Sequence, residues 1–202
     1  MVEIIFNLSN IIGLIVFSLV GSLKAGKEKF DLFGISVVGY ATALGGGTIR
    51  DILINKKPLI LYSIYDVLFS SLGIFIGIIA LKIFNKDVLK NKFILYLDAV
   101  GLAAFTTTGV LIAYKYSTTS FGVLVLGILT GTGGGIIADL LMRKAPTILK
   151  EDFYAMCSLI GGISFLIFEN FSLTWGAFST FFITLITRLL TIHYNWHVKI
   201  FN

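Results

Sequence analysis

Seven long runs of apolar residues, separated by short polar or charged breaks, account for most of the chain. They cover 3–23, 32–54, 59–84, 93–114, 120–142, 153–169 and 173–192. A helix that crosses a bilayer needs ~20 residues of this kind. Strands of a membrane barrel would be about ten residues long and would alternate in polarity, which these runs do not. The pattern predicts an all-α membrane protein with seven transmembrane helices, forming a single membrane domain over 1–202.

Composition supports lipid as the main solvent of this surface. Of the 202 residues, 56% are apolar and only 13% are charged, about half the charge of a typical soluble domain. Mean hydropathy is +0.94. The first run is interpreted as a span and not as a signal peptide, because Glu3 stands where a basic region would precede the apolar stretch. The single cysteine, Cys157, lies in an apolar run and is expected to serve packing.

Lysine and arginine are distributed unequally between the two predicted sides of the membrane. One side carries Arg50, Lys56, Lys57 and Lys115. The other carries Lys24, Lys27, Lys29, Lys82, Lys86, Lys90, Lys92, Arg143, Lys144, Lys150, Arg188 and Lys199. Because basic loops stay in the cytoplasm, we expect the C-terminus inside and the N-terminus outside a cell membrane. This explanation also removes any reason to expect nucleic-acid binding.

The chain repeats itself at an offset of 88 residues. Over positions 10–66, 22 of 57 residues are identical to their mates, and the matches include the glycines, Asp51 with Asp139, and Pro58 with Pro146. Repeat one covers about 3–84 and repeat two about 93–169, while the seventh helix, about 173–192, stands outside. Each repeat has three helices, an odd number, so the second copy must lie in the membrane in the opposite orientation. Inverted repeats are common in proteins that move solutes.

Two glycine triplets lie at matched places in the second and fifth runs. The segments are ALGGGTIRDIL (43–53) and GTGGGIIADLL (131–141). Three consecutive glycines cost roughly 3 kcal/mol of helix propensity relative to alanine. We therefore expect a broken or kinked helix at Gly45, Gly46 and Gly47, and again at Gly133, Gly134 and Gly135. Matched breaks in inverted halves are typical of a permeation or binding site, although small residues also permit close helix packing.

Charged residues inside these runs are the next candidates for function. An ionisable group in a span is costly and points to function by default. If a break falls at the glycines, Asp51 and Asp139 begin the following half-helix, where they either cap it or line a pore. Arg50 has no mate, because Ala138 occupies its position. It pairs with Asp139 across the pseudo-axis or lines the pore; the residues do not decide between these.

Further polar side chains complete the set of pore-lining candidates. Asp98 lies at the mouth of the fourth run, with Thr106, Thr107 and Thr108 deeper in it. The full candidate set is Thr42, Thr48, Arg50, Asp51, Asp98, Thr130, Thr132 and Asp139. His193 and His197 are assigned to the membrane interface, so no metal site is expected. Enzyme signatures are absent, and we expect neither an enzyme nor a cofactor, only permeant K⁺ or Na⁺.

Taken together, seven spans, inverted triple-helix repeats and the two GGG segments resemble the trimeric intracellular cation (TRIC) channel family, in particular its prokaryotic branch. The resemblance covers essentially the whole chain. It implies a homotrimer with one pore in each protomer, flanked by helices two and five and permeable to potassium and other monovalent cations. Some bacterial relatives of this kind are described as glycine transporters.

The sequence is therefore compatible with three functions. In a channel, carbonyls at the ends of the first half-helices would replace the water shell of a cation. In a secondary transporter of a small zwitterion such as glycine, the N-terminal ends of the second half-helices would hold a carboxylate. A non-transporting scaffold would leave the duplicated motif unexplained. The sequence favours the channel and keeps the transporter as the alternative.

Overall fold

The computed structural model describes residues 1–83, 91–149 and 153–196, with the side chain of Asn91 excepted. Over these residues it contains seven α-helices, two short 3₁₀ helices and no strand. The α-helices are α1 (Val2–Lys27), α2 (Leu32–Leu53), α3 (Ile64–Ile83), α4 (Asn91–Lys115), α5 (Ser120–Leu141), α6 (Tyr154–Phe168) and α7 (Leu173–Tyr194). The all-helical fold predicted from the apolar runs is confirmed.

Six of the described helices are long and apolar enough to cross a membrane. The exception is α6, which has 15 residues and spans about 22 Å at 1.5 Å per residue. Its predicted run, 153–169, was already the shortest of the seven. It packs against α7 along its length, where a Cβ at Gly161 would collide with the hydroxyl of Thr184.

The third helix begins later than the apolar run that predicts it. Residues Leu59–Leu61 form a separate 3₁₀ helix, and α3 starts at Ile64. The hydroxyl of Ser63 accepts a hydrogen bond from the N–H of Asp66 at 3.2 Å, which is a helix N-cap contact. Apolar character alone could not reveal this boundary, because the loop residues are themselves apolar.

Helix boundaries in the two halves obey the 88-residue offset. Helices α2 and α5 begin and end at matched positions, and Leu59–Leu61 is matched by the 3₁₀ helix Thr147–Leu149. Asp31 caps α2 by accepting from the N–H of Gly34, and Thr119 caps α5 by accepting from the N–H of Gly122. The sequence repeat is therefore a repeat of local structure.

The two repeats lie in opposite orientations. Along α1 and α4, a Cβ at Gly13 would meet the ring of Phe105, and a Cβ at Gly101 would meet the ring of Phe17. Further along, Lys24 of α1 approaches Asp98 of α4. Rising positions on α1 thus face falling positions on α4, so the two helices are antiparallel, as inverted repeats require. The rings of Phe17 and Phe105, which are repeat mates, pack edge to face with centroids 5.2 Å apart.

Helix α7 packs on repeat two and breaks the symmetry between the halves. Its Arg188 is buried, with the guanidinium 4.6 Å from the ring centroid of Tyr154. Arg50 is also buried, in α2. Both arginines are buried inside the helix bundle and not at a membrane surface, so neither belongs in the comparison of the two sides. Without them, eleven basic residues lie on the predicted cytoplasmic side and three on the opposite side, so the cytoplasmic side still carries more basic residues.

Candidate functional site

Both glycine triplets lie inside uninterrupted helices. The α-helical backbone continues from Leu32 to Leu53 and from Ser120 to Leu141 without a gap. The prediction that each triplet breaks its helix into two halves is therefore wrong. A bend of either axis at these positions stays a prediction. Neither helix ends at its triplet, so a site built from the ends of two half-helices does not form there.

The triplets instead allow α2 and α5 to cross with their backbones in contact. A Cβ at Gly46 would collide with the carbonyl oxygen of Thr130, and a Cβ at Gly134 would collide with that of Thr42. A Cβ at Gly45 would lie 3.2 Å from the Cα of Gly134. These contacts are the close packing that small residues permit in membranes, the alternative given by the sequence. The reciprocal contacts place the crossing on the pseudo-twofold axis.

The third glycine of each triplet faces a different environment. A Cβ at Gly47 would lie 3.5 Å from Nη2 of Arg50, whereas a Cβ at Gly135 would have nothing within 4 Å. The difference follows from the sequence, because Ala138 stands where Arg50 would be. The arginine thus fills a space in repeat one that stays open in repeat two.

Asp51 and Asp139 lie in the last turns of α2 and α5, not in the first turn of a following half-helix. A carboxylate is unfavourable at the negative end of a helix dipole, and nearby donors offset this. Oδ2 of Asp51 accepts from the N–H of Leu59 at 3.0 Å. Oδ2 of Asp139 accepts from the N–H and hydroxyl of Thr147, both at 2.7 Å. Both aspartates therefore cap the 3₁₀ helix that follows.

Arg50 pairs with its neighbour and not with Asp139. Its Nε and Nη2 donate to Oδ1 of Asp51 at 2.9 and 2.7 Å, and both residues are at most 4% exposed. Asp51 also accepts from Leu59, so among the described residues the hydrogen-bond partners of its carboxylate come from α2 and the 3₁₀ helix after it. Pairing of Arg50 across the pseudo-axis, one of the two sequence alternatives, is wrong.

A small polar cavity of about 30 Å³ surrounds this pair, and we call it the Arg50 cavity. By the volume that one water requires, it holds about two water molecules. The second carboxylate in its wall is Asp66, whose Oδ1 accepts from the amide of Asn10 at 3.2 Å. The cavity wall comprises Asn10, Leu14, Ala43, Leu44, Gly47, Thr48, Arg50, Asp51, Leu59, Ile60, Asp66, Phe105 and Thr130.

A wider cavity of about 310 Å³, the Lys24 cavity, lies at the other end of α1. Its wall comprises Lys24, Lys27, Glu28, Ile94, Leu95, Asp139, Met142, Lys144 and Thr147. Asn10 and Lys24 are 14 residues apart, which is about 21 Å along a helix. Asp98 is buried behind the wall, with Oδ1 3.9 Å from Nζ of Lys24. At the rim, Lys144 and Glu28 form an ion pair at 2.6 Å.

The threonine candidates bond mainly to their own helices. The hydroxyls of Thr42, Thr48, Thr130 and Thr132 each donate to the carbonyl four residues earlier, at 2.6 to 2.8 Å. Of these four, Thr48 and Thr130 also line the Arg50 cavity. In α4, Thr107 and Thr108 bond back to their helix, and Thr106 binds Ser158 of α6 at 2.8 Å. Such back-bonding suits tolerated packing.

The cysteine and the two histidines are the remaining residues singled out from the sequence. Cys157 is buried. His193 is exposed, and His197 lies outside the described residues. Across 1–83, 91–149 and 153–196, no group of three or more histidine, cysteine or acidic side chains is arranged to hold a metal.

Three residues at these cavities were missed by sequence reasoning. Asp66 was read as part of an apolar run, although an acid in a span deserves the same attention as Asp51. Lys24 was counted only as a basic loop residue. Phe105 could not be chosen among the 18 phenylalanines, because only the fold brings it to the Arg50 cavity and to Phe17.

Comparison with known proteins agrees with this architecture. A family model described as glycine transporter matches the chain twice, over residues 7–82 and 95–170. The starts of the two matches, residues 7 and 95, are 88 residues apart, as are the sequence repeats. The UPF0126 membrane protein YvgT of Bacillus subtilis is 35% identical over 198 residues, covering 95% of this chain and 94% of YvgT.

Two solved structures share the fold over nearly all of the chain. A prokaryotic TRIC channel in 0.5 M KCl superposes with a TM-score of 0.88 at 33% identity, covering 97% of this chain and 100% of its own. The TRIC trimeric intracellular cation channel orthologue from Rhodobacter sphaeroides gives a TM-score of 0.84 at 27% identity, covering 95% and 98%. These neighbours are channels and not enzymes.

Proposed function

Because the chain belongs to the prokaryotic TRIC family, which the glycine transporter model and the UPF0126 proteins also represent, we propose that it is a cation channel of the cell membrane. The permeant ions are monovalent, K⁺ or Na⁺, and the scheme needs no cofactor. One pore runs through each protomer between the Arg50 cavity and the Lys24 cavity, beside the crossing of α2 and α5.

The observation that carries this proposal is the pair of cavities with charged side chains in their walls, at opposite ends of one helix crossing. Each is walled by a carboxylate from the end of a glycine-containing helix, Asp51 in one and Asp139 in the other. A second buried carboxylate, Asp66, lies in the wall of the Arg50 cavity, and another, Asp98, lies behind the wall of the Lys24 cavity. Carboxylates concentrate cations in a confined polar space. The path between the cavities passes Phe105 and Thr130, which line the Arg50 cavity.

Side chains, and not released backbone carbonyls, interact with the ion in this scheme. The helices are continuous at the glycines, so the half-helix ends that would present free carbonyl oxygens to an ion are not formed. A path lined by carboxylates and hydroxyls strips little water from an ion. It therefore discriminates weakly between potassium and sodium, in contrast to a ring of carbonyls that replaces the hydration shell.

We also propose a homotrimer with its N-terminus outside and its C-terminus in the cytoplasm. The trimer is supported by the trimeric Rhodobacter sphaeroides neighbour. The orientation is supported by the basic residues. The orientation is tested by introducing single cysteines at equivalent positions of the two repeats, in a Cys157→Ser background. An impermeant thiol reagent should label Asn55→Cys but not Arg143→Cys in intact cells, and the reverse result would invert the topology.

A secondary transporter of glycine is the second candidate, because the matching family model is described as a glycine transporter. The carboxylate site expected at half-helix N-termini is lost with the continuous helices. A carrier would instead use Arg50 to bind the substrate carboxylate. The Arg50 cavity, with room for about two waters, would have to enlarge for this.

The deciding experiment uses one preparation for both assays. Purified protein is fused into a planar bilayer under a potassium gradient at neutral pH, and the same protein is placed in liposomes with labelled glycine. Discrete current steps that reverse near the potassium equilibrium potential support the channel. A silent bilayer together with glycine uptake would replace the channel by the carrier.

A further inference from the structure

The carboxylate of Asp98 is buried without a full set of partners. Asp98 is 5% exposed, and its Oδ2 has no hydrogen-bond partner among the described residues. Its Oδ1 lies 3.9 Å from Nζ of Lys24, which is beyond hydrogen-bond range. Leaving a buried carboxylate oxygen unpaired is costly, so this arrangement needs a reason other than stability.

The matching position in repeat one is satisfied differently. Asn10, the mate of Asp98, is neutral and donates to Asp66. At the Arg50 cavity the basic side chain is held by two hydrogen bonds to Asp51. At the Lys24 cavity, by contrast, Lys24 and Asp98 form an ion pair whose closest atoms lie beyond hydrogen-bond distance. The Lys24 side chain is 23% exposed and lines the cavity, so its ammonium can move into solvent.

We propose that Asp98 is a cation-binding residue at the mouth of the pore, and that the ammonium of Lys24 is a tethered cation that competes with the permeant ion for it. This deepens the proposed channel function and rests on it. When a cation enters, it takes the place of the ammonium beside Asp98, and Lys24 swings into the Lys24 cavity. When the ion leaves, the ammonium returns.

Charge balance makes this site prefer monovalent over divalent cations. The ammonium is itself a monovalent cation, so exchange with K⁺ or Na⁺ leaves the charge beside Asp98 unchanged. A divalent ion would bring one surplus positive charge into a poorly solvated place, close to Lys24. The competition therefore favours monovalent over divalent ions, and removing Lys24 should weaken this preference.

Binding is tested separately from conduction. The full chain in detergent is unfolded thermally while KCl replaces N-methylglucamine chloride at constant ionic strength. We expect K⁺ to raise the unfolding temperature of the wild type, Asp98→Asn to abolish this rise, and Lys24→Met to shift it to severalfold lower K⁺. Asparagine at 98 reproduces what repeat one carries at Asn10, so the fold should accept it. Lys29→Met, which removes an exposed positive charge on the same predicted side but outside the wall of the Lys24 cavity, is the matched control and should leave the K⁺ dependence unchanged.

Conduction is tested by K⁺ flux in liposomes with the same variants. We expect Lys24→Met to raise flux and Asp98→Asn to lower it, while the double variant behaves like Asp98→Asn alone. Equal effects of Lys24→Met with and without Asp98 would overturn the proposal, since Lys24 would then act only through surface potential. An unchanged K⁺ midpoint in Lys24→Met would overturn it as well. A wild type that binds K⁺ through Asp98 but carries no current would refute the channel and leave the binding site standing.

Discussion

Arg50 and Asp51 are consecutive residues on α2, yet their side chains are joined by two hydrogen bonds, from Nε at 2.9 Å and Nη2 at 2.7 Å to the same carboxylate oxygen. The pair is buried at the end of a helix whose dipole disfavours Asp51 alone. Repeat two has no arginine at this position, and the hydroxyl of Thr147 supplies the extra donor to Asp139 instead. Different residues thus solve the same electrostatic problem in the two halves.

Removing the arginine should therefore destabilise the protein more than removing the pair. Arg50→Met leaves Asp51 buried without its charged partner, a loss of about 3–5 kcal/mol in buried ion pairs. Thermal unfolding in detergent should show Arg50→Met well below the wild type and Arg50→Met/Asp51→Asn between the two. A double variant less stable than Arg50→Met would mean that the pair is not the source of the effect.

The glycines of one triplet should differ sharply in their tolerance of a methyl group. Gly134→Ala places a Cβ against the carbonyl of Thr42, and Gly46→Ala places one against the carbonyl of Thr130. Overpacking of this kind costs about 1–3 kcal/mol. Gly135→Ala meets open space and gains up to ~1 kcal/mol in helix propensity.

Thermal unfolding of the three alanine variants measures this difference, and Gly135→Ala serves as the control for the other two. If the triplets worked as flexible breaks, all three substitutions would impair the protein alike. Equal losses at Gly134 and Gly135 would therefore contradict the packing role.

The apolar runs and the internal repeat were enough to predict the all-helical fold and its inverted halves. The state of the glycine helices could not be predicted from propensity. The roughly 3 kcal/mol cost of a triplet is offset by backbone contact with a second helix, such as that between Gly46 and Thr130, which is 84 residues away in sequence. For the same reason the role of Arg50 stayed open: the sequence allowed pairing with Asp139 or a place in the pore wall, and only the fold reveals the bond to Asp51.

Asp139 caps the 3₁₀ helix that follows α5, and it also places a negative charge in the Lys24 cavity. Separate substitutions can distinguish these two roles. Thr147→Val removes one hydrogen bond to Asp139 and keeps the carboxylate in the Lys24 cavity. Asp139→Asn removes the charge. We expect both to lower stability, by about 1.5–3 kcal/mol for a hydrogen bond to a charged group, and only Asp139→Asn to lower K⁺ flux.

Flux into liposomes and thermal unfolding of the same samples provide the comparison. The valine variant is the control for any effect of a weakened loop after α5. If Thr147→Val reduced flux as much as Asp139→Asn, the aspartate would act only by holding the loop, and its pore role would be refuted.

Phe17 and Phe105 are mates that touch each other on the pseudo-axis, and they provide a matched pair for locating the path. Both are at most 4% exposed, and each ring lies against a glycine of the opposite helix, Gly101 or Gly13. Truncation of either to alanine should cost about 3–5 kcal/mol through the cavity it leaves.

Only Phe105 lines the Arg50 cavity, so only Phe105→Ala should widen the ion path. We expect Phe105→Ala to raise K⁺ conductance per open channel and Phe17→Ala to leave it near the wild-type value. Phe105→Leu, which preserves most of the volume, should restore stability and reduce the gain. A conductance that rises equally in both alanine variants would move the path onto the pseudo-axis itself, away from the cavity that holds Arg50.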